Sequence, residues 1–407
     1  MDDYAPFVGL EEVHEIRTLA SYLRGARVQH INSTAVGGGV AELLGTLVPL
    51  MRDVGLDARW DVMKGSQAFF EVTKAIHNSL HGAREVLTPE GLKLFWDTTQ
   101  ENLGVLERDA DFECIHDPQP LGLVKERGEK ARWLWRCHID LSDADPGTWS
   151  FLRQIVERYD GAAFHLPEYA KELSIPQYVA PPAIDPLNEK NTELTQSEIT
   201  SVLERYQLDP RLPIVMQVSR YDRLKDPVGV IRSYQRAARS HPCQLVLVGG
   251  AANDDPEGAQ VLAEVQEAAQ GDPNIHVLVM APGTGRDVNA LQRAATIVVQ
   301  KSVREGFGLV VTEAMWKGKP VIGGAVGGIR SQILQGTTGF LVHSVEGTAY
   351  RIRQLLGNPD LARQLGANAR RYVIENFLPT TYLKRWLLML LSLRHRPARA
   401  VVALGTP

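Results

Sequence analysis

The sequence predicts an α/β protein built from two doubly wound parallel-sheet domains. Three observations carry this. Short apolar runs alternate with segments of helical period through the first half of the chain and again through the second. The runs are continuously apolar, as strands covered on both faces require. A polar stretch over 180–195, holding Pro181, Pro182 and Pro186, separates the two series and reads as a linker. The expected domains are 1–185 and 186–375. A helix and tail over 376–407 follow, the helix packing back on the first domain.

In the first half, residues 27–32 read as a strand. Val40, Leu43, Leu44, Leu47, Leu50, Met51 and Val54 then give 38–54 the i, i+3, i+4, i+7 pattern of an amphipathic helix, with a kink expected at Pro49. Further strands are expected at 58–63, 112–116, 133–139, 162–166 and 178–180. In the second half, strands at 213–219, 244–249, 275–280, 297–301, 320–323 and 339–342 are separated by helices at 227–240, 256–269, 287–294 and 310–317. This alternation implies right-handed crossovers. A helix over 380–393 closes the chain, and the basic tail after it (Arg394, Arg396, Arg399) is expected to be frayed and solvated. Ligands of open parallel sheets sit beyond the carboxyl ends of the strands, so two such domains would face each other across a central cleft.

Composition excludes several function classes. Among 407 residues, 44% are hydrophobic and 23% charged, with a net charge of −4. That supports a large core but no basic face for nucleic acid. Cys114, Cys137 and Cys243 form no C-x-x-C pair, so they read as buried, reduced thiols suited to the cytoplasm. The acidic start, Met1-Asp2-Asp3-Tyr4, is no secretory signal, and the apolar run 387–393 is too short for a bilayer. His77 and His81 have ligand spacing but lack a glutamate between them, and no metal site is read there.

Four segments carry residue types suited to chemistry. Val36-Gly37-Gly38-Gly39-Val40 lets backbone amides approach an anion at a helix N-terminus; a plain strand–helix turn is the other reading. Ser219-Arg220-Tyr221-Asp222-Arg223-Leu224-Lys225-Asp226 follows the first strand of the second domain. Arg220 offers a diphosphate a bidentate fork and Lys225 a point charge. A solvated loop paired with Asp222 and Asp226 is the alternative. In Arg304-Glu305-Gly306-Phe307-Gly308-Leu309-Val310-Val311-Thr312-Glu313-Ala314-Met315, two glutamates lie eight residues apart across a Gly-rich turn that opens a helix. Amides of Gly308, Leu309 and Val310 would cap an anion there. Carboxylates beside an anion make sense if they bind sugar hydroxyls. Last, His138 and Asp117 stand at the carboxyl ends of apolar strands, open to a ligand role or to core packing and helix capping.

On these residues the chain resembles the retaining glycosyltransferases of family four over nearly its whole length. Glu305 to Glu313 matches the family's E-x7-E motif, and Ser219-Arg220 with Lys225 its donor-phosphate pair. Gly327-Gly328 and Thr338-Gly339-Phe340-Leu341-Val342 match its downstream signatures. Two positions depart: Asp226, where glycine commonly follows the lysine, and Gln332, where glutamate is common. Segments 30–42, 116–120, 134–140 and 304–320 resemble a narrower group, the trehalose glycosyltransferring synthases, and trehalose phosphorylases are similar too.

The resemblance implies a GT-B architecture. It also implies reversible transfer of glucose, with retention, from a nucleotide diphosphate glucose (UDP-glucose or ADP-glucose) to free glucose, giving trehalose. Arg220 and Lys225 would neutralise the diphosphate, helped by amides of Gly37, Gly38, Gly308, Leu309 and Val310. Glu313 would hold the ribose, Glu305 the donor glucose, His138 its 6-hydroxyl, and Asp117 the acceptor glucose. Retention would follow from front-face attack or from a double displacement, for which the sequence reveals no nucleophile. No cofactor is required, and magnesium would only assist the diphosphate. The expected partners are small molecules, without nucleic acid or membrane, and the expected assembly is a homodimer. The alternatives are a trehalose phosphorylase and a glucan-extending synthase. An NAD-dependent enzyme would need the G-x-G-x-x-G that Gly37-Gly38-Gly39 fails to supply. A non-catalytic sugar-binding protein would leave both cations and both glutamates unexplained.

Overall fold

The computed structural model describes residues 1–407 except Gly37, Glu129, 251–255, Pro282, 396–400 and 404–407. The chain divides into two compact units, one holding Met1–Ala183 and the segment from Pro379 on, the other Ile184–Leu378.

Strands form where the apolar runs stand: β1 Arg27–Asn32, β2 Asp57–Val62, β3 Phe112–His116, β4 Arg132–Arg136, β5 Gly161–Phe164 and β6 Gln177–Val179 in the first unit. The second unit has β7 Ile214–Val218, β8 Gln244–Gly250, β9 Ile275–Met280, β10 Ile297–Gln300, β11 Val321–Gly324 and β12 Gly339–Val342. A last strand, β13 Val401–Ala403, returns to the first sheet beside β6. The sheet orders are β13-β6-β5-β4-β3-β1-β2 and β12-β11-β10-β7-β8-β9, parallel throughout.

Side chains alternate across each sheet, so each strand feeds two cores. In β4, Trp133 and Trp135 face the helices Gln67–Leu80, Pro89–Leu103 and Pro146–Val156. Leu134 faces the helices Leu10–Ser21, Gly38–Asp53 and Pro379–Arg394. Trp386 of the last helix is fully buried there, and truncating it to alanine would cost about 3–5 kcal/mol. Three helices that periodicity leaves unnamed carry legible starts. Ser66, Thr88 and Asp145 accept the amides of Phe69, Gly91 and Thr148, and proline follows the last two caps.

Several expectations need correction. The helix runs over Gly38–Asp53 with Pro49 inside it, one residue shorter than the expected 38–54. The expected strand 133–139 ends at Arg136, because the carboxylate of Asp117 takes the His138 amide at 2.7 Å. The basic tail is not wholly frayed: Arg394 donates to the Tyr22 carbonyl at 2.8 Å, and β13 lies beyond it. Arg396 and Arg399 lie outside the described residues. The three cysteines are buried and free. Among the described residues no helix is long and apolar enough to cross a membrane.

Candidate active site

In the second unit the chain must turn from β7 into the helix Pro227–Ala238 within a short loop. Asp226 makes that turn at φ 48, ψ 50, in the left-handed region where a Cβ is penalised. This is why glycine suits the position. Here the aspartate offsets the penalty with its carboxylate, which accepts the Gly229 amide at 3.1 Å and pairs with Lys301 Nζ. Just before it, Lys225 Nζ donates to Glu305 Oε2 at 2.7 Å, and Ser302 Oγ donates to the same oxygen at 3.2 Å. Both partners of that pair are largely buried, at 17% and 11% side-chain exposure. Gln217 Nε2 holds the Lys225 carbonyl at 2.8 Å, and the Val303 amide holds that of Leu224 at 2.8 Å, so the two loops are tied together.

Glu305 is followed by a turn that only glycine fits. Gly308 has φ +84, and a Cβ there would stand 3.0 Å from Glu305 Cγ. Gly308 then caps the helix Leu309–Trp316, whose first amides carry the positive end of its dipole. The carbonyls of the turn are fixed by Gln332, which is fully buried. Its Nε2 donates to Phe307 O at 2.5 Å and to Gly328 O at 3.2 Å, while its Oε1 accepts from Thr312 Oγ1 at 2.5 Å. A glutamate in this place would turn acceptor oxygens on those carbonyls. Glu313 sits buried on the same helix. One turn on, burial pushes Lys317 down to about 7 against the opposing pull of Glu313, and its Nζ donates to Asn191 Oδ1 at 3.0 Å.

Beside this turn lies a cavity of about 430 Å³ lined by Arg220, Gly249, Met280, Thr284 and Val310, among others. Gly249 forms part of its wall because a Cβ there would stand 2.7 Å from Ser219 O. Arg220 has a side chain 77% exposed and pairs with Asp222 at 3.4 Å, a surface contact that it can leave for a ligand at little cost.

In the first unit, four histidines stand towards the carboxyl ends of four neighbouring strands: His30 within β1, His116 at the end of β3, and His138 and His165 just beyond β4 and β5. His30 Nδ1 lies 3.0 Å from His116 Nε2, and His116 Nδ1 lies 2.9 Å from His138 Nε2. Arg136, fully buried, donates through Nη2 to His165 Nδ1 at 2.7 Å and to Ala180 O at 2.5 Å. Burial, reinforced by that guanidinium, holds His116, His138 and His165 well below the usual imidazole range. Asp117 adopts φ 64, unusual for a non-glycine residue, and burial raises its carboxyl to about 7.

Comparison with known proteins fits both halves of the chain. The family described as "Trehalose synthase, N-terminal domain" matches residues 30–171, and "Glycosyl transferases group 1" matches 200–372. A trehalose synthase of Pyrococcus horikoshii is 46% identical over 97% of this chain and 96% of its own length. One of Rubrobacter xylanophilus is 41% identical over 94% of each. The chain belongs to the trehalose synthase family of glycosyltransferases. Sucrose-phosphate synthase of Thermosynechococcus elongatus shares the fold, with a TM-score of 0.71 at 20% identity over 91% of this chain and 100% of that one. An Anabaena protein solved with UDP and glucose does so with 0.69 at 17%, over 90% and 100%. The fold is GT-B, two Rossmann-like parallel-sheet domains.

The residues expected from sequence fall into two sets. Arg220, Lys225, Glu305, Gly308, Leu309, Val310 and Glu313 gather around one loop pair and cavity in the second unit. Asp117 and His138 are joined in the first. Gly38 opens its helix with φ +79, and Gly37 lies outside the described residues. Sequence reasoning missed Lys301 and Ser302, which end an apolar strand ahead of Glu305, and missed roles for His30, His116 and His165. The available signal was a polar side chain recurring at the carboxyl ends of apolar runs.

Proposed function

We propose that this enzyme makes trehalose by transferring glucose, with retention and reversibly, from a nucleotide diphosphate glucose to free glucose. The observation that carries this is the Lys225–Glu305 pair. A cation suited to a leaving diphosphate is held against a carboxylate suited to sugar hydroxyls. The pair stands at the glycine turn opening the helix Leu309–Trp316, in the unit whose cavity has room for a nucleoside. The near-full-length likeness to proteins named trehalose synthase supports the acceptor and the product.

On donor binding, the diphosphate takes over Lys225 and recruits Arg220, with amides of Gly308, Leu309 and Val310. Glu305 turns to the hydroxyls of the donor glucose, and Glu313 holds the ribose. His138 meets the 6-hydroxyl, and Asp117 orients the acceptor. As the bond from C1 to the phosphate oxygen breaks, the acceptor oxygen bonds to C1 on the same face, and its proton passes to the departing phosphate. Fixed cations and amides at that oxygen lower the barrier. Magnesium is assigned to the diphosphate, as a stimulant. The enzyme works in the cytoplasm, to which three free buried thiols are suited, and as a homodimer, a state light scattering would test.

The deciding experiment is product analysis by NMR after incubation with glucose and UDP-, ADP- or GDP-glucose, beside a tube of trehalose and phosphate. Nucleotide-dependent α,α-1,1-linked disaccharide is expected. Glucose 1-phosphate formed only in the phosphate tube would make the enzyme a phosphorylase.

A further inference from the structure

The two nitrogens of a neutral imidazole differ, and which one carries the proton decides whether a histidine offers a donor or an acceptor. We infer that a buried relay of Met51, His30 and His116 locks His138 in its Nε2–H form, so that His138 Nδ1 presents a lone pair to a hydroxyl of the donor sugar. The sugar contact rests on the placement of His138 proposed above.

The relay is built from three contacts. Met51 Sδ lies 3.5 Å from His30 Nε2, His30 Nδ1 lies 3.0 Å from His116 Nε2, and His116 Nδ1 lies 2.9 Å from His138 Nε2. A thioether has no hydrogen, so the first contact is a hydrogen bond only if His30 Nε2 donates. His30 Nδ1 must then accept, which puts the His116 proton on Nε2. The same step puts the His138 proton on Nε2. The opposite polarity leaves nitrogen and sulfur lone pairs facing each other.

Packing fixes the rings. Trp386 meets His30 edge-on at 4.9 Å and lies 6.0 Å from His116, and both histidines are essentially inaccessible. The rings stay neutral, because burial lowers His30 to about 3 and, with Arg136, lowers His116 and His138 as well. The other titratable groups around the relay are engaged elsewhere. Arg136 donates to His165 and to Ala180 O, and Asp117 accepts the backbone amide of His138. His30 and His116 are therefore positioning residues.

The test is a multiple-bond ¹⁵N–¹H spectrum of the full chain labelled with ¹⁵N-histidine, in which His138 is identified by the signals lost in His138→Gln. Wild type should show a protonated Nε2 and a bare Nδ1 on His138; a protonated Nδ1 overturns the relay. In His116→Leu the ring should drift to a tautomer mixture, and kcat/KM for the donor should fall about five- to tenfold, the size of one buried hydrogen bond. His116→Asn, whose Oδ1 takes the place of Nδ1, should restore both. A folded His116→Leu that keeps the Nε2–H form and wild-type kcat/KM overturns the inference. If the tautomer is as assigned but His138→Gln transfers at the wild-type rate, the relay stands and the placement of His138 on the sugar falls.

Discussion

The two units furnish the carboxyl ends of their strands with opposite materials. Beyond β7 and β10 the second unit gathers charges, pairing Lys225 with Glu305 and Lys301 with Asp226, and leaving Arg220 in solvent. Towards the carboxyl ends of β1, β3, β4 and β5 the first unit gathers imidazoles held neutral by burial. On the proposed function, the difference follows from what each edge would meet. A diphosphate needs cations, and a buried cation is tolerable only while a carboxylate holds it until the ligand arrives. Sugar hydroxyls need acceptors and donors in fixed directions, which neutral rings locked by packing supply without burying charge.

The sharpest way to break this contrast is at the pair itself. Glu305→Ala should lower transfer by about a hundred- to a thousandfold, the scale of a lost transition-state contact. Nucleotide affinity should hold or tighten, because Lys225 loses its competitor; calorimetry with UDP or ADP measures this. Weaker nucleotide binding in that variant would mean that Glu305 supports the diphosphate site instead of competing for it. Arg220→Ala should weaken nucleotide diphosphate binding by about ten- to a hundredfold, as expected of a charge-assisted bond, with the melting temperature unchanged. Wild-type affinity would remove Arg220 from the donor site.

Acidification should separate the two units. The unfolded chain protonates His30, His116, His138 and His165 below about pH 6.5 while the folded rings stay neutral, so stability they supply above that pH is lost as pH falls. Asp117 and Glu113, both pushed up to about 7 by burial, act in the opposite sense: their cost fades as pH falls from 7 towards about 4. Four imidazoles outweigh two carboxyls, so the first unit should lose stability between about pH 6.5 and 4.5. Hydrogen exchange should show β1 and β3 losing protection in that window before β7 and β10. Simultaneous loss would count against neutral rings in the folded state.

The smallest effect expected is at Asp226. Asp226→Gly loses the cap and the Lys301 pair but also the left-handed penalty, and its stability should stay within about 1 kcal/mol of wild type. Asp226→Ala keeps the penalty and should cost about 2 kcal/mol by chemical denaturation. Equal losses would mean that backbone strain at this turn is negligible.

The charged edge was legible because its parts are local. Lys225 stands five residues after Arg220, and Glu305 directly precedes the glycine turn, so spacing and residue type expose them. The reason glycine is common where this chain has Asp226 was not legible, because it is a backbone angle. Gln332 could be noticed as a departure, but its purpose appeared only with the carbonyls of Phe307 and Gly328 around it. The helices at 67–80, 89–103 and 146–156 were not named from the sequence, because periodicity was followed and the caps Ser66, Thr88 and Asp145 were not.

What the sequence determined by itself was the alternation of apolar runs, which dictates two parallel sheets, and the clustering of cations, glutamates and glycines from which a donor site is proposed. Only the tertiary structure could bring together His30 and His116, 86 residues apart, and set Met51 behind them. Strand order and register are products of packing across both faces of a sheet, and no local pattern records which strands become neighbours.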